Sequence, residues 1–76
     1  MELQIREERI KKGSKLIGKS LADTNIKKKS GATILAIRKT DGKFNLQPLA
    51  STVVEEEDIL VILGTPEQLE ILERIV

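Results

Sequence analysis

The run "DILVILG", Asp58 to Gly64, followed at once by "TPEQLEIL", constrains this chain more than any other stretch. Ile59 to Leu63 is unbroken apolar sequence, led by an acid and closed by glycine. It predicts a strand covered on both faces, because a half-exposed strand alternates with polar residues instead. Thr65, Pro66 and Gln68 then stand where a capping box places its N-cap, N1 and N3 residues, which fixes the start of a helix. At 100° per residue, Leu69, Ile71, Leu72, Ile75 and Val76 fall within an arc of about 160°, with Glu67, Glu70, Glu73 and Arg74 opposite. That arc is wide enough to cover a sheet and still leave an edge for a partner chain.

Seventy-six residues allow one domain, residues 1–76. A chain of this size buries only about 60% of the surface that its unfolded form exposes, so its margin of stability is thin. It has no cysteine, hence no disulfide and no thiolate metal site, and no histidine to serve as ligand or near-neutral proton carrier. A small domain without such staples gains stability by pairing with a copy of itself, and a homodimer is the expectation.

The rest of the chain reads as strands and turns around one short helix. "LQIREERI" alternates loosely and predicts a first strand with one wet face. "SLADTNIKKKSG" predicts a short helix with Ser20 as N-cap, Lys27, Lys28 and Lys29 near its C-terminal end, and Gly31 as the stop. Asp41-Gly42 between two strand-like runs signals a two-residue hairpin. That register sets Lys39 opposite Phe44, Arg38 opposite Asn45 and Ile37 opposite Leu46. Leu35, Ile37, Phe44 and Leu46 then share a core face. Ile34 and Ala36 lie on the other face, with Arg38, Asn45 and Gln47 clustered toward the turn, in the manner of a buried interface or ligand face. Val53-Val54 reads as a short extended piece. The fold class is α+β: a sheet of about four to five strands, a short helix and a C-terminal amphipathic helix, built to dimerise.

"GSKLIGKS", Gly13 to Ser20, has the letters of a phosphate-binding P-loop. Its surroundings refuse that role. The seven residues before it, "REERIKK", are charged at six positions, whereas the strand before a P-loop is nearly all apolar. Leu16 and Ile17 sit mid-loop as core plugs, and Asp58 precedes its apolar strand instead of ending it, so no acid is placed to hold Mg²⁺. The string reads instead as a strand-to-helix corner that ends at Ser20, the expected helix N-cap.

Charge is segregated: residues 1–43 hold 12 Lys+Arg against 5 Asp+Glu, and residues 44–76 hold 1 against 7. Such asymmetry fits a solvated surface or a basic region facing an anionic ligand. Phe44 is the sole aromatic, whereas single-strand binders stack bases on several, so no nucleic-acid partner is expected. Without histidine or cysteine, and with its one carboxylate cluster (Glu55 to Asp58) in a connection, the chain reads as no enzyme and holds no metal site. No run approaches the roughly 20 apolar residues of a membrane span, and "MELQIREERI" lacks a signal-peptide core, so the expected setting is cytoplasmic.

Four ordered pieces resemble the C-terminal domain of RCK (regulator of potassium conductance) proteins, the TrkA-C domain. They are "GSKLIGKSLADTNI", "GATILAIRK", Pro48 after the hairpin, and "DILVILGTPEQLEIL". The family usually has Gly-Asp before the last strand and Arg-Arg after "AI", where this chain has Glu57-Asp58 and Arg38-Lys39. The resemblance implies a dimeric regulatory domain on the cytoplasmic side of a potassium channel or transporter, commonly the tail of a longer chain. In some members the dimer cleft binds a small effector such as cyclic di-AMP, and no catalytic cofactor is implied. Arg38 is then the candidate for phosphate and Asn45 for base or ribose, with Ile37 and Pro48 as apolar contacts. Ile34, Ala36, Ile71 and Ile75 are the candidates for the dimer interface. A purely structural dimerisation module, indifferent to ligands, is the alternative.

Overall fold

A computed structural model describes all 76 residues. Four strands, β1 (Gln4–Arg9), β2 (Thr33–Arg38), β3 (Phe44–Leu46) and β4 (Ile59–Gly64), form one antiparallel sheet in the order β1-β4-β2-β3. Two short helices, α1 (Leu21–Thr24) and α2 (Ile26–Ser30), and the longer α3 (Pro66–Ile75) complete it. The fifth extended piece, at Val53, is a single bridge to Ser20. The α+β architecture is the one expected.

The helix ends follow the local chemistry. Thr65 accepts from the Gln68 N–H at 3.2 Å while Gln68 Oε1 accepts from the Thr65 N–H at 2.9 Å, so the capping box closes in both directions. Leu69 and Leu72 are fully buried, and each contributes on the order of 1.5–3 kcal/mol. Ser20 caps α1 by accepting the Asp23 N–H at 3.2 Å. The single helix expected over this region is broken at Asn25, whose φ of 55° interrupts it. Asparagine is among the few side chains that tolerate that left-handed conformation. Gly31 ends α2 with φ 81° as foreseen, its N–H donating to Lys27 O.

Two local irregularities correct the expected strand faces. The hairpin turn spans three residues, not two: Lys39 N donates to Lys43 O and Gly42 N to Lys39 O, with Gly42 at φ 86°. Arg38 therefore pairs with Phe44, Ile37 with Asn45 and Ala36 with Leu46, one residue off the predicted register. A one-residue slip exchanges the two faces of β3 relative to β2. The second irregularity is a bulge at Leu35, between the pairs Ile34↔Ile62 and Ala36↔Val61. The bulge brings Ile34 and Ile37 to the same face, although odd spacing in a regular strand would separate them.

One sheet face is covered and the other is bare. The covered face presents Ile34, Ile37, Leu60 and Ile62 to α2 and α3, in a core with Ile26, Leu69 and Leu72. Ile10, Leu16 and Val54 extend that core. The opposite face carries Ile5 from β1, Ile59, Val61 and Leu63 from β4, Ala36 from β2, and Phe44 and Leu46 from β3. Phe44 and Leu46, expected in the core, are 54% and 71% exposed. Ile17, expected as a plug, is on the surface, and only Leu16 of that pair is buried. The reading of β4 as covered on both faces holds for one face within this chain.

Two substitutions of opposite sign test the backbone. Gly31→Ala places a Cβ 2.7 Å from the Gln68 side chain at a positive φ, and we expect a loss of about 1–3 kcal/mol in denaturant unfolding. Glu57 sits at φ 70°, so Glu57→Gly relieves a strain of roughly 1 kcal/mol, and the thermal midpoint should rise by a few degrees.

Candidate functional site

The loop "GSKLIGKS" is settled by its own hydrogen bonds. The N–H groups of Ser14, Ile17, Gly18 and Lys19 donate to the carbonyls of Lys11, Ser14, Val54 and Leu16, and that of Leu16 donates to Ser14 Oγ. Donors committed to the chain itself do not cradle a phosphate. Lys19 is exposed, and the loop is a structural corner between β1 and α1.

The four candidate ligand residues do not converge as the two-residue hairpin implied. Ile37 is fully buried in the core, so a ligand does not reach it in this fold. Arg38 lies on the bare face, 3.4 Å from Glu7 Oε1 across β4, with its guanidinium 5.9 Å from the centroid of Phe44. Both contacts are solvent-exposed and weak, which leaves the guanidinium free to exchange partners. Asn45, one residue beyond Phe44, points to the other side of the sheet. Pro48 lines a groove of about 290 Å³ with Ile34, Ala32, Ile26, Leu21 and Lys27, on the side where the helices pack. Gln47 delivers Pro48 there: at φ 50°, with its N–H donated to Leu35 O, it turns the chain out of β3 after three residues.

The interface candidates divide in the same way. Ala36 is on the bare face and Ile71 is 41% exposed on α3, whereas Ile34 and Ile75 pack against the core. The exposed apolar surface that sequence reasoning missed is the set Ile5, Phe44 and Leu46, on two strands whose faces depend on pairing. The alternation of "LQIREERI" was a signal for it, but the face turned to the helices carries Arg6 and Glu8 instead of Ile5.

A second omission is the pair Lys39 and Asp58. Asp58, read as part of a solvated run, is 1% exposed. Lys39 Nζ donates to its two oxygens at 2.8 and 2.9 Å and to Glu55 Oε1 at 2.7 Å. Burial alone lowers the Lys39 ammonium, but hydrogen bonds and attraction from Asp58 and Glu55 outweigh it, and the group ends above its ordinary 10.5. On the edge strand β1, burial and then the Glu73 charge raise the Glu8 carboxyl against the opposing pull of Arg6 and Lys11. Glu8 and Glu73 share a polar cleft of about 410 Å³ with Arg9, Lys11 and Lys12 that holds none of the candidates.

The model of the TrkA-C domain family matches residues 5–76. The chain belongs to that family. Potassium channel protein 1 of Methanocaldococcus jannaschii is 46% identical over 67 residues, 88% of this chain and 20% of the relative. The chain spans about a fifth of the length of the two M. jannaschii channel proteins it matches. The RCK_C domain of the potassium transport protein KtrA, solved in complex with cyclic di-AMP, superposes with a TM-score of 0.88 at 28% identity, over 99% of this chain and 85% of that one. The RCK_C domain dimer of S. agalactiae BusR, also with cyclic di-AMP, gives 0.87 at 29% identity, over 96% and 89%. BusR has further been solved with its promoter DNA, where this TrkA-C domain matches 34% of that chain. The exclusion of nucleic acid drawn from the single aromatic therefore does not extend to a longer protein that carries such a domain. No helix here is long and apolar enough to cross a membrane.

The raised Lys39 gives a signed prediction. Its folded value lies above its unfolded one, so its stabilising contribution is complete below pH about 10.4 and is lost as pH rises through the folded value. Thermal unfolding from pH 9 to 12 should show this loss, and a Lys39→Met variant should be less stable at pH 9 and approach the parent only as pH rises through the folded Lys39 value.

Proposed function

We propose that this TrkA-C domain is the dimerising, effector-sensing part of a potassium channel or potassium-uptake assembly, at the cytoplasmic side of the membrane. Its ligand is cyclic di-AMP or a closely related nucleotide. The observation that carries this reading is the near full-length superposition on two domains of one fold, both solved with cyclic di-AMP, one of them as a dimer. The name of the M. jannaschii relative supports the potassium setting.

The bare sheet face supplies the physical reason for a second copy. Ile5, Phe44 and Leu46 are exposed around half-buried Ile59, Val61 and Leu63, and such apolar surface favours burial at about 25 cal/mol per Å². Ala36 lies within it, so two copies related by a two-fold axis would meet there, while Ile71, on α3, lies on the opposite side of the sheet. Arg38 stands on this face beside Phe44, ready to leave Glu7 for a phosphate. Asn45 and Pro48 face the other way, so a ligand held between two bare faces meets Arg38 of both copies and not Asn45 or Pro48. Cyclic di-AMP has two identical halves, which matches the self-complementarity of a two-fold interface. Ligand binding then biases the assembly only by its differential affinity for the two gating states.

Isothermal titration with cyclic di-AMP tests the ligand. We expect one ligand per two chains, and a loss of roughly 10- to 100-fold for Arg38→Ala, the range for hydrogen bonds to a charged group. Absence of heat and of any melting shift at high micromolar ligand would refute it. Light scattering tests the dimer: Val61→Asp should yield a folded monomer. A dimer that survives Val61→Asp places the interface elsewhere, and one indifferent to nucleotides leaves the purely structural module as the function.

A further inference from the structure

Lys39 and Asp58 take no part in the ligand reading, yet Asp58 is the only charged side chain of the chain that is almost wholly out of water. It is rigidly held. Its Oδ2 accepts the Glu55 N–H at 2.9 Å, its own N–H donates to Glu55 O, and its carbonyl accepts the Ile10 N–H at 2.7 Å. Lys39 is the sole cation paired with it. Lys39 is also the residue that closes the hairpin turn, through Lys39 N to Lys43 O and Gly42 N to Lys39 O.

We propose that Lys39 is a positioning residue: docked on the buried Asp58, it pins the 39–43 turn to the 55–58 turn and so fixes the end of β2 from which Arg38 projects. This rests on the ligand role proposed for Arg38. β3 has only three residues, so the hairpin makes three pairs, the last of them Arg38↔Phe44, and so short a ribbon frays from its tip unless something holds it. Arg38's own contacts do not hold it, because Glu7 and Phe44 are both more than half exposed. The Lys39 ammonium already meets three carboxylate oxygens, with no proton left over for a phosphate. The two adjacent cations thus divide the work: Arg38 meets the ligand, and Lys39 aims Arg38.

The experiment combines amide exchange with cyclic di-AMP titration on three variants. Removing only Lys39 strands a buried carboxylate, so the informative variant is Lys39→Met with Asp58→Leu, which removes both charges and keeps the fold. Exchange at Lys39 and Gly42 should quicken about tenfold or more while that of Leu60 stays slow, and affinity should fall about tenfold. Lys39→Arg, which keeps a cation on Asp58, should retain most of the affinity. Asp58→Asn separates the two roles: a positioning Lys39 predicts weaker binding, whereas a lysine released to touch phosphate predicts binding unchanged or tighter. Unaltered exchange at Lys39 and Gly42, or undiminished affinity in Asp58→Asn, overturns the proposal. Should the parent chain fail to bind cyclic di-AMP, the ligand reading falls with it, and the exchange rates still decide whether the pin exists.

Discussion

Hydrogen bonding to a strand on each side puts Ile59–Gly64 at the centre of the sheet, and its alternating side chains then build two apolar surfaces where the chain has helices enough to cover one. Leu60 and Ile62 go to α2 and α3, and Ile59, Val61 and Leu63 stay on the bare side. Within residues 1–76 no element covers them. Two properties of this TrkA-C domain follow from that shortage, the thin core and the exposed Phe44 and Leu46, and it leaves open the apolar face on which the proposed second copy would sit.

The same asymmetry places the charged groups. On the bare face Arg38 and Glu7 reach across β4 in water, where an ion pair is worth little and is readily exchanged. At the sheet's end Lys39, itself partly exposed, reaches the buried Asp58, and removing the lysine leaves a buried charge and is costly. Two neighbouring cations of one strand end thus differ in their contacts, because one points over open sheet and the other into a turn.

The elements whose form depends on near neighbours were legible in the sequence. The capping box of Thr65 and Gln68, Pro66 at N1, Ser20 as N-cap and Gly31 as stop each rest on contacts within four residues, and each stands where expected. The resemblance carried by the opening motif and the closing strand and helix was legible too, since it rests on residue order. The hairpin was visible, but its register was not: Asp41-Gly42 serves a two- or a three-residue turn equally well, and one residue decides which face Phe44 takes.

By itself, then, the sequence determined the order of strands and helices, their caps, the absence of any staple and the family of the domain, because local backbone chemistry and residue order are written directly in it. The bulge at Leu35, the three-residue turn, the burial of Asp58 and the bare face were decided by tertiary structure. Each depends on which strand pairs with which and in what register. An apolar residue carries no mark of whether the surface beside it belongs to its own chain or to another.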